Sequence, residues 1–458
     1  MSMGSLTMVA ESVSGVLIGN DQRFESVSTD TRTLQPGELF FALHGERFDA
    51  AEFVNEAARL GAAGAVVEHR QSCDLSQVEV SDTRDALGAL AKHWRAQFEI
   101  SVIALTGSNG KTTVKEMIAG ILRSHFSTET DLLVTAGNLN NEIGLPLTVL
   151  GLRNQHQIAV LELGASHCGE IASLAEIAAP GIGIVTNAGI AHLEGFGSKQ
   201  NVAAGKGELF ESLADDGVAI INRDDDFFSY WQKICERVEI HTFGLSESAD
   251  FRATDIREFV DNTQCDLGFV LRSPFGEVEI QLPMAGRHNV RNALAAAAAA
   301  TAAGASLEAV QQGLMTVRNV SGRMRGVTSK GGMTIFDDSY NANPGSVQAA
   351  IEFLSGRPGR QWLAFGDMAE LGPDSAKFHY AVGENAKRAG IERLFCLGEQ
   401  ARNAANSFGD GAASYDSVSE MAEAINAEKQ QQVVLLVKGS RCMQLEKLVA
   451  TLLRDGVS

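Results

Sequence analysis

The segment TGSNGKTT at 106–113 carries the residue types of a phosphate-binding loop. Gly107 and Gly110 let the backbone turn its N–H groups toward an anion, and Ser108 and Asn109 stand between them. Lys111 can reach a β- or γ-phosphate, and Thr112 or Thr113 can ligate Mg²⁺. Leu105 stands where the commoner G-x-x-x-x-G-K-[ST] pattern has its first glycine, so this is the tighter GxxGKTT form. A glycine turn with an incidental lysine is the plain alternative.

Further polar residues fall where strands should end. Glu162 sits in the apolar run ending LELGAS, where a carboxylate must be paired, protonated or on a metal. His192 lies in TNAGIAHLEGFGS and is a possible mixed-site ligand, although a lone histidine is more often structural. Lys206 in AGKGELF reads by itself as a surface lysine. Asn138, Asn140 and Asn141 precede a Gly-Leu-Pro turn; asparagines make turns, and here could also orient a phosphate or carboxylate. Asn289 and Asn292 lie at i,i+3 on one helix face, suited either to an adenine edge or to helix capping. GRMR at 322–325, DDSYNANPGS at 337–346, GDMAELG at 366–372 and KGSR at 438–441 each read as turn chemistry alone, and poorly so together. Arg323, Asp338 and Lys438 could meet a nucleotide or substrate only if their block closes over the phosphate loop.

The elements that must position these groups follow from the apolar runs. Ile100–Leu105, Ile158–Leu163, Ile182–Val185 and Val218–Ile221 read as buried parallel strands. Helices are expected at Thr112–Ser124 and Gln200–Leu213, with an Ala-rich helix over 288–305. The alternation predicts a doubly wound parallel sheet, whose ligands bind beyond the carboxyl ends of the strands. The first block holds strand-like runs at Glu38–Leu43 and Ala62–Val67 and a helix at Thr83–Gln97. The third repeats the rhythm at Met333–Phe336, Trp362–Phe365, Leu394–Leu397 and Val433–Val437. The fold class is therefore α/β in three domains: 1–98, 99–312 and 313–458.

With 458 residues the chain has room for three ordinary domains. A net charge of -19 argues against a general nucleic-acid binder. No run of about 18 apolar residues appears, so no membrane span is expected. The opening MSMGSLTMVAESVSG lacks the blocks of a signal peptide, and six scattered cysteines suggest a reducing compartment; a cytoplasmic location is expected.

Taken together, these motifs resemble the Mur ligase family of bacterial cell-wall synthesis, over nearly the whole chain. VSTDTRTLQPGELFFALHGERFD at 27–49 is similar to the family's UDP-binding domain. TGSNGKTT, NLNNEIGLP, ELGAS, TNAGIAHLEGFGS and GRHNVRNA resemble its ATPase domain, and DDSYNANPGS, GDMAELG and KGSR its C-terminal, Rossmann-like domain. DSYNANP is the most discriminating string. DAAEF at 49–53 departs from the DGHDF often found in these ligases.

The resemblance implies an ADP-forming amide ligase that uses ATP and Mg²⁺ to add D-alanyl-D-alanine to UDP-N-acetylmuramoyl-tripeptide, through an acyl phosphate. Lys111, Glu162, His192 and Lys206 would be catalytic. Thr112, Glu162, His192 and a Lys206 carbamate would serve the metal. Gly107–Thr113, Asn289, Asn292, Arg323 and Asp338 would face ATP. Ser28, Thr29 and Arg32 would take the UDP end, and Asn138, Asn141, Tyr340, Asn341, Asn343 and Lys438 the remaining substrate. A monomer is expected. The competing readings are another amide ligase of this fold, adding diaminopimelate or lysine or acting on folate, and a P-loop switch protein without ligase chemistry.

Overall fold

The computed structural model describes residues 2–45, 48–126, 131–261, 264–319, 322–329, 331–428 and 432–454. Glu46 and Arg47 of the 27–49 string, and the side chain of Cys265, lie outside them. The other five cysteines are free thiols.

Three sheets organise the chain. The central one has nine strands, in the order Leu132–Val134, Ile158–Glu162, Ser101–Thr106, Ile182–Val185, Val218–Asn222, Glu239–Gly244, Phe251–Asp261, Gln264–Ser273, Gly276–Leu282. The first seven run parallel, and Gln264–Ser273 is antiparallel to both of its neighbours. All five residues of Ile158–Glu162 and all four of Ile182–Val185 are buried, as strands covered on both faces require. Helices Lys111–His125 and His288–Ala302 pack on one face, and Glu170–Ala178 and Lys199–Glu211 on the other.

The antiparallel extension over 251–282 is absent from the sequence reading. Its arms alternate buried and exposed side chains, a weaker signal than a continuous apolar run. Helix Leu307–Thr316 runs across the expected 312/313 junction and packs on Lys111–His125, so closely that a Cβ on Gly313 would lie 2.3 Å from the Ile121 Cα. It belongs with the central layer.

The first sheet has five strands, in the order Val16–Ile18, Gln77–Glu79, Gly64–Val67, Leu39–Phe41, Val27–Ser28. The third has six, in the order Arg325–Thr328, Thr334–Asp338, Val433–Lys438, Arg360–Gly366, Arg393–Leu397, Ala412–Tyr415; all but the first run parallel. Helix Thr83–Arg95 joins the first unit to the second. Arg95, 9% exposed, donates to the carbonyls of Ala178, Phe98 and Ile100 at 3.0, 2.7 and 3.3 Å. Its charge thereby sits at the C-terminus of helix Glu170–Ala178, where carbonyls are otherwise unpaired.

Candidate active site

The carboxyl ends of the central strands open into a cleft of about 1590 Å³ that all three units line. The phosphate loop forms its floor between strand Ser101–Thr106 and helix Lys111–His125. Gly107 has φ +145°, and a Cβ there would meet the Thr186 hydroxyl at 1.9 Å; Gly110 has φ +83° and faces Asn292. Both are positions only glycine fills without strain. The loop is clamped from the next strand end. The Asn109 N–H donates to Asn187 Oδ1 at 3.0 Å, and Asn187 Nδ2 donates to the Asn109 carbonyl at 3.0 Å. Lys111 Nζ folds back on the Gly107 carbonyl at 2.6 Å. Burial lowers the pKa of its ammonium, the Glu162 carboxylate opposes that shift, and the Arg323 guanidinium reinforces it.

Glu162 is 2% exposed at the end of its strand. Its Oε1 accepts from Asn140 Nδ2 at 2.8 Å, while its Oε2 is buried with no partner among the described residues. A buried carboxylate oxygen without a donor is costly unless something else supplies positive charge. His192 lies beyond strand Ile182–Val185, on the other side of Ser101–Thr106, in the left-handed conformation, φ +53°. Its Nδ1 contacts Glu370 Oε2 of the third unit, with the Ser166 hydroxyl 3.5 Å from the same nitrogen. The His192 contact holds the Glu370 carboxyl below its ordinary pKa.

Lys206 is 1% exposed, not a surface residue. Its Nζ reaches the Ala165 carbonyl at 3.3 Å and lies 5.1 Å from the centre of the Phe196 ring. No described carboxylate makes an ion pair with it, since Glu208 instead accepts from the N–H groups of Gly169 and Ala172 at the start of helix Glu170–Ala178. Burial first, and the Lys111 charge second, push its pKa down to about 7.

On the wall opposite, Asn289 donates to the Ala285 carbonyl at 2.7 Å and Asn292 donates to Asn289 Oδ1 at 2.8 Å. Both line the cleft, as do their neighbours His288 and Arg291.

The third unit reaches the phosphate loop directly. An Arg323 guanidinium N–H donates to the Thr112 hydroxyl at 2.9 Å while the group stacks 4.3 Å over the Tyr340 ring. Its Nε is buried without a partner among the described residues. Asn343 caps helix Pro344–Ser355 and donates from Nδ2 to Asn109 Oδ1 at 2.7 Å. Lys438, 2% exposed, bridges Asp338 Oδ2 at 2.5 Å and the Asn341 carbonyl at 3.0 Å.

Other expected residues sit elsewhere. Asn141 caps the Gly144 N–H from the cleft edge, and Asn138 is exposed beyond the lining. Ser28, Thr29 and Arg32 lie outside this cleft; Arg32 pairs with Asp30 at the surface, and Ser28 bonds the Asp30 backbone. The first unit instead lines the cleft with Asp82, Arg84, Asp85 and Lys92, which the sequence reading passed over because a polar helix face looks solvated. Asn187 was also passed over; its position directly after a buried strand was the available signal.

Comparison with known proteins identifies this arrangement. Three family descriptions match in chain order: "Mur ligase family, catalytic domain" at 23–95, "Mur ligase middle domain" at 105–300, and "Mur ligase, glutamate ligase domain" at 322–441. The chain is 43% identical to the UDP-N-acetylmuramoyl-tripeptide–D-alanyl-D-alanine ligase of Escherichia coli, with 99% of each chain covered. The chain belongs to the Mur ligase family. A Bacillus subtilis Mur ligase of the same description is 33% identical over 98% of each chain. Among solved structures, MurF from Acinetobacter baumannii superposes with a TM-score of 0.91 at 34% identity, covering 99% of each chain. MurF from Thermotoga maritima, in complex with ADP, gives 0.82 at 26%, covering 94% of this chain and 97% of that one. The three-domain α/β architecture of this Mur ligase is thereby that of solved relatives. Mycobacterium tuberculosis folylpolyglutamate synthase, at 15% identity and a TM-score of 0.64, shares the fold alone.

Proposed function

We propose that this Mur ligase uses ATP to join D-alanyl-D-alanine to UDP-N-acetylmuramoyl-tripeptide, releasing ADP and phosphate, in the cytoplasm and as a monomer. The observation that carries the reading is the seat of DSYNANP. Its last asparagine, Asn343, binds Asn109 inside the phosphate loop, so the string that separates this ligase type from others of the fold stands where phosphoryl transfer occurs. The full-length relatives with this activity support it. A P-loop switch would have no use for a cleft in which third-domain cations meet the nucleotide loop.

The chemistry follows from the groups present. A terminal carboxylate oxygen of the tripeptide attacks the γ-phosphorus of ATP, and the bond to the β,γ-bridging oxygen breaks, releasing ADP. Lys111 and the N–H groups that open helix Lys111–His125 would meet the charge that moves during this transfer, the Ser108 and Asn109 N–H groups being held by Asn187. The neutral amine of D-alanyl-D-alanine then attacks the acyl carbon, the tetrahedral intermediate expels phosphate, and the amine proton leaves to solvent or base. Arg323, held on Thr112 and Tyr340, supplies a second cation at the loop.

The donors present fit Mg²⁺. The unpartnered Glu162 oxygen and the Thr112 hydroxyl are the hard oxygen ligands that it takes beside substrate phosphates, and His192 would complete a mixed set. No group of three or more His, Cys, Asp or Glu side chains gathers as a metal cage among the described residues, as suits a cation shared with phosphate. When bound, Mg²⁺ would neutralise phosphate charge. Lys206 fits the carbamate reading: its amine is buried, unpaired with any described carboxylate, and its pKa is pushed down to about 7.

Asn289 and Asn292 take the adenine side, with Asp338 toward the ribose end. Tyr340, Asn341 and Lys438 serve the acceptor side. Ser28, Thr29 and Arg32 take the UDP end, and Asn138 and Asn141 lie along the peptide path. The domains are 1–98, 99 to the end of helix Leu307–Thr316, and the remainder. The deciding assay is phosphate release with ATP, UDP-muramoyl-tripeptide and D-alanyl-D-alanine, leaving out one at a time. Release that ignores the amine would overturn the reading.

A further inference from the structure

The loop over 366–372 offers a feature that the reaction above does not use. It leaves strand Arg360–Gly366 and is pinned from within the third domain. The Met368 N–H donates to Nε2 of fully buried His379 at 2.8 Å, the Ala369 N–H donates to the Ser440 hydroxyl at 2.8 Å, and Leu371 is 2% exposed. Between these anchors Glu370 takes a left-handed backbone, φ +60°, and points across the domain boundary. Its carboxylate meets His192 Nδ1, and its carbonyl accepts from the Glu194 N–H at 3.2 Å.

His192 is itself left-handed, so two non-glycine residues in a sparsely populated, costly conformation face each other. That strain is not repaid by domain adhesion. The Glu370 and His192 side chains are 53% and 27% exposed, and a pair so open to water contributes little. What the contact does fix is a ring. With Nδ1 held by a carboxylate, the imidazole keeps one tautomer and one orientation, and Nε2 is left for a ligand. Carboxylates in this position hold metal-binding histidines generally. The Ser166 hydroxyl, 3.5 Å from Nδ1, is too distant to do the same.

We propose that Glu370 is a positioning residue for His192, so that the third domain completes the metal-ligand set only when its 366–372 loop is seated on the 192–194 turn. The proposal rests on the ligase reading above for its kinetic consequence, though not for the contact itself.

The test uses full-length E370A and E370Q, with thermal unfolding as the check on folding. In ligand-free protein labelled with ¹⁵N-histidine, and with H192N to assign the signal, His192 should carry its proton on Nδ1. E370A should convert it to a mixture of tautomers, while E370Q, whose amide oxygen still accepts, should keep it. In the phosphate-release assay, the Mg²⁺ concentration for half-maximal rate should rise roughly 10–100-fold in E370A and only a few-fold in E370Q. Unchanged His192 signals and unchanged Mg²⁺ dependence in E370A would overturn the proposal. So would an E370Q as impaired as E370A, because that would make charge rather than ring orientation the cause. Should the wild type release no phosphate with both substrates, the ligase reading fails, and the tautomer measurement still decides the role of Glu370.

Discussion

The phosphate loop and the third-domain rim that touches it are built on opposite principles. The loop is held by its own domain: Asn187 grips Asn109 from both sides, Lys111 folds on Gly107, and two glycines fit where nothing larger would. The rim arrives by few contacts, one hydrogen bond each from Arg323 and Asn343 to the loop, and the side chain and carbonyl of Glu370 on the 192–194 turn. A nucleotide site assembled this way is preformed on one side and conditional on the other. On the proposed reading, phosphates bind the loop alone, whereas transfer needs the rim. Such division is useful where an acyl phosphate must be kept from water until the amine arrives.

The largest effect should come from breaking the preformed side. Lys111→Ala should lower ligation on the order of 10³-fold, with circular dichroism and thermal unfolding unchanged. A folded variant with near-normal turnover would remove the loop from the chemistry. Lys206→Ala should cost on the order of 10²-fold, and short carboxylic acids should restore part of it by filling the space of a carbamate. Because the Lys206 amine loses its proton as pH rises through about 7, ¹³C NMR under ¹³CO₂ should show the carbamate gaining occupancy across that range. No carbamate signal at any pH, with no rescue, would leave Lys206 a packed amine.

Smaller effects should separate the rim from the loop. Arg323→Lys keeps charge but loses the fork that spans Thr112 and Tyr340, and should slow turnover roughly tenfold while ATP still binds. Equal loss of ATP affinity would mean that the two sides are one unit. Asn343→Ser is the mildest. Serine also caps a helix, so stability should stay within about 0.5 kcal/mol. The lost bond to Asn109 should reduce the rate by roughly 2–10-fold. Denaturant melts and turnover on the same samples would show whether capping and reach are separable.

The same contrast governs what could be read from sequence. Four of the seven parallel strands of the central sheet and four of the five in the third announce themselves as apolar runs, with Ile182–Val185 matched to the residue and Ile158–Glu162 to within one; Leu132–Val134, Glu239–Gly244, Phe251–Asp261 and Ala412–Tyr415 do not. Glu162 was legible because a carboxylate is conspicuous in such a run. Lys206 was not, since its burial comes from packing of helix Lys199–Glu211 against Phe196, which no local pattern records. The cleft wall of Arg84 and Lys92, and the reach of Glu370, depend on where whole domains meet. Periodicity is silent there, and the GDMAELG string by itself reads only as turn chemistry.

Helix His288–Ala302 shows what its monotony is for. Eight consecutive residues, Ala293 to Ala300, are each 0% exposed, with one leucine among the alanines. Methyl-sized side chains set a short gauge between the sheet and helix Lys111–His125, and the N-terminal turn of the same rod carries Asn289 and Asn292. A leucine introduced anywhere along the run would push the rod outward, at about 1–3 kcal/mol for the overpacking. Where those amides hold adenine as proposed, it would also carry both of them out of register with the nucleotide. Such a variant should retain its fold at room temperature yet bind ATP poorly, an injury to alignment delivered from a distance by a single extra branch of carbon.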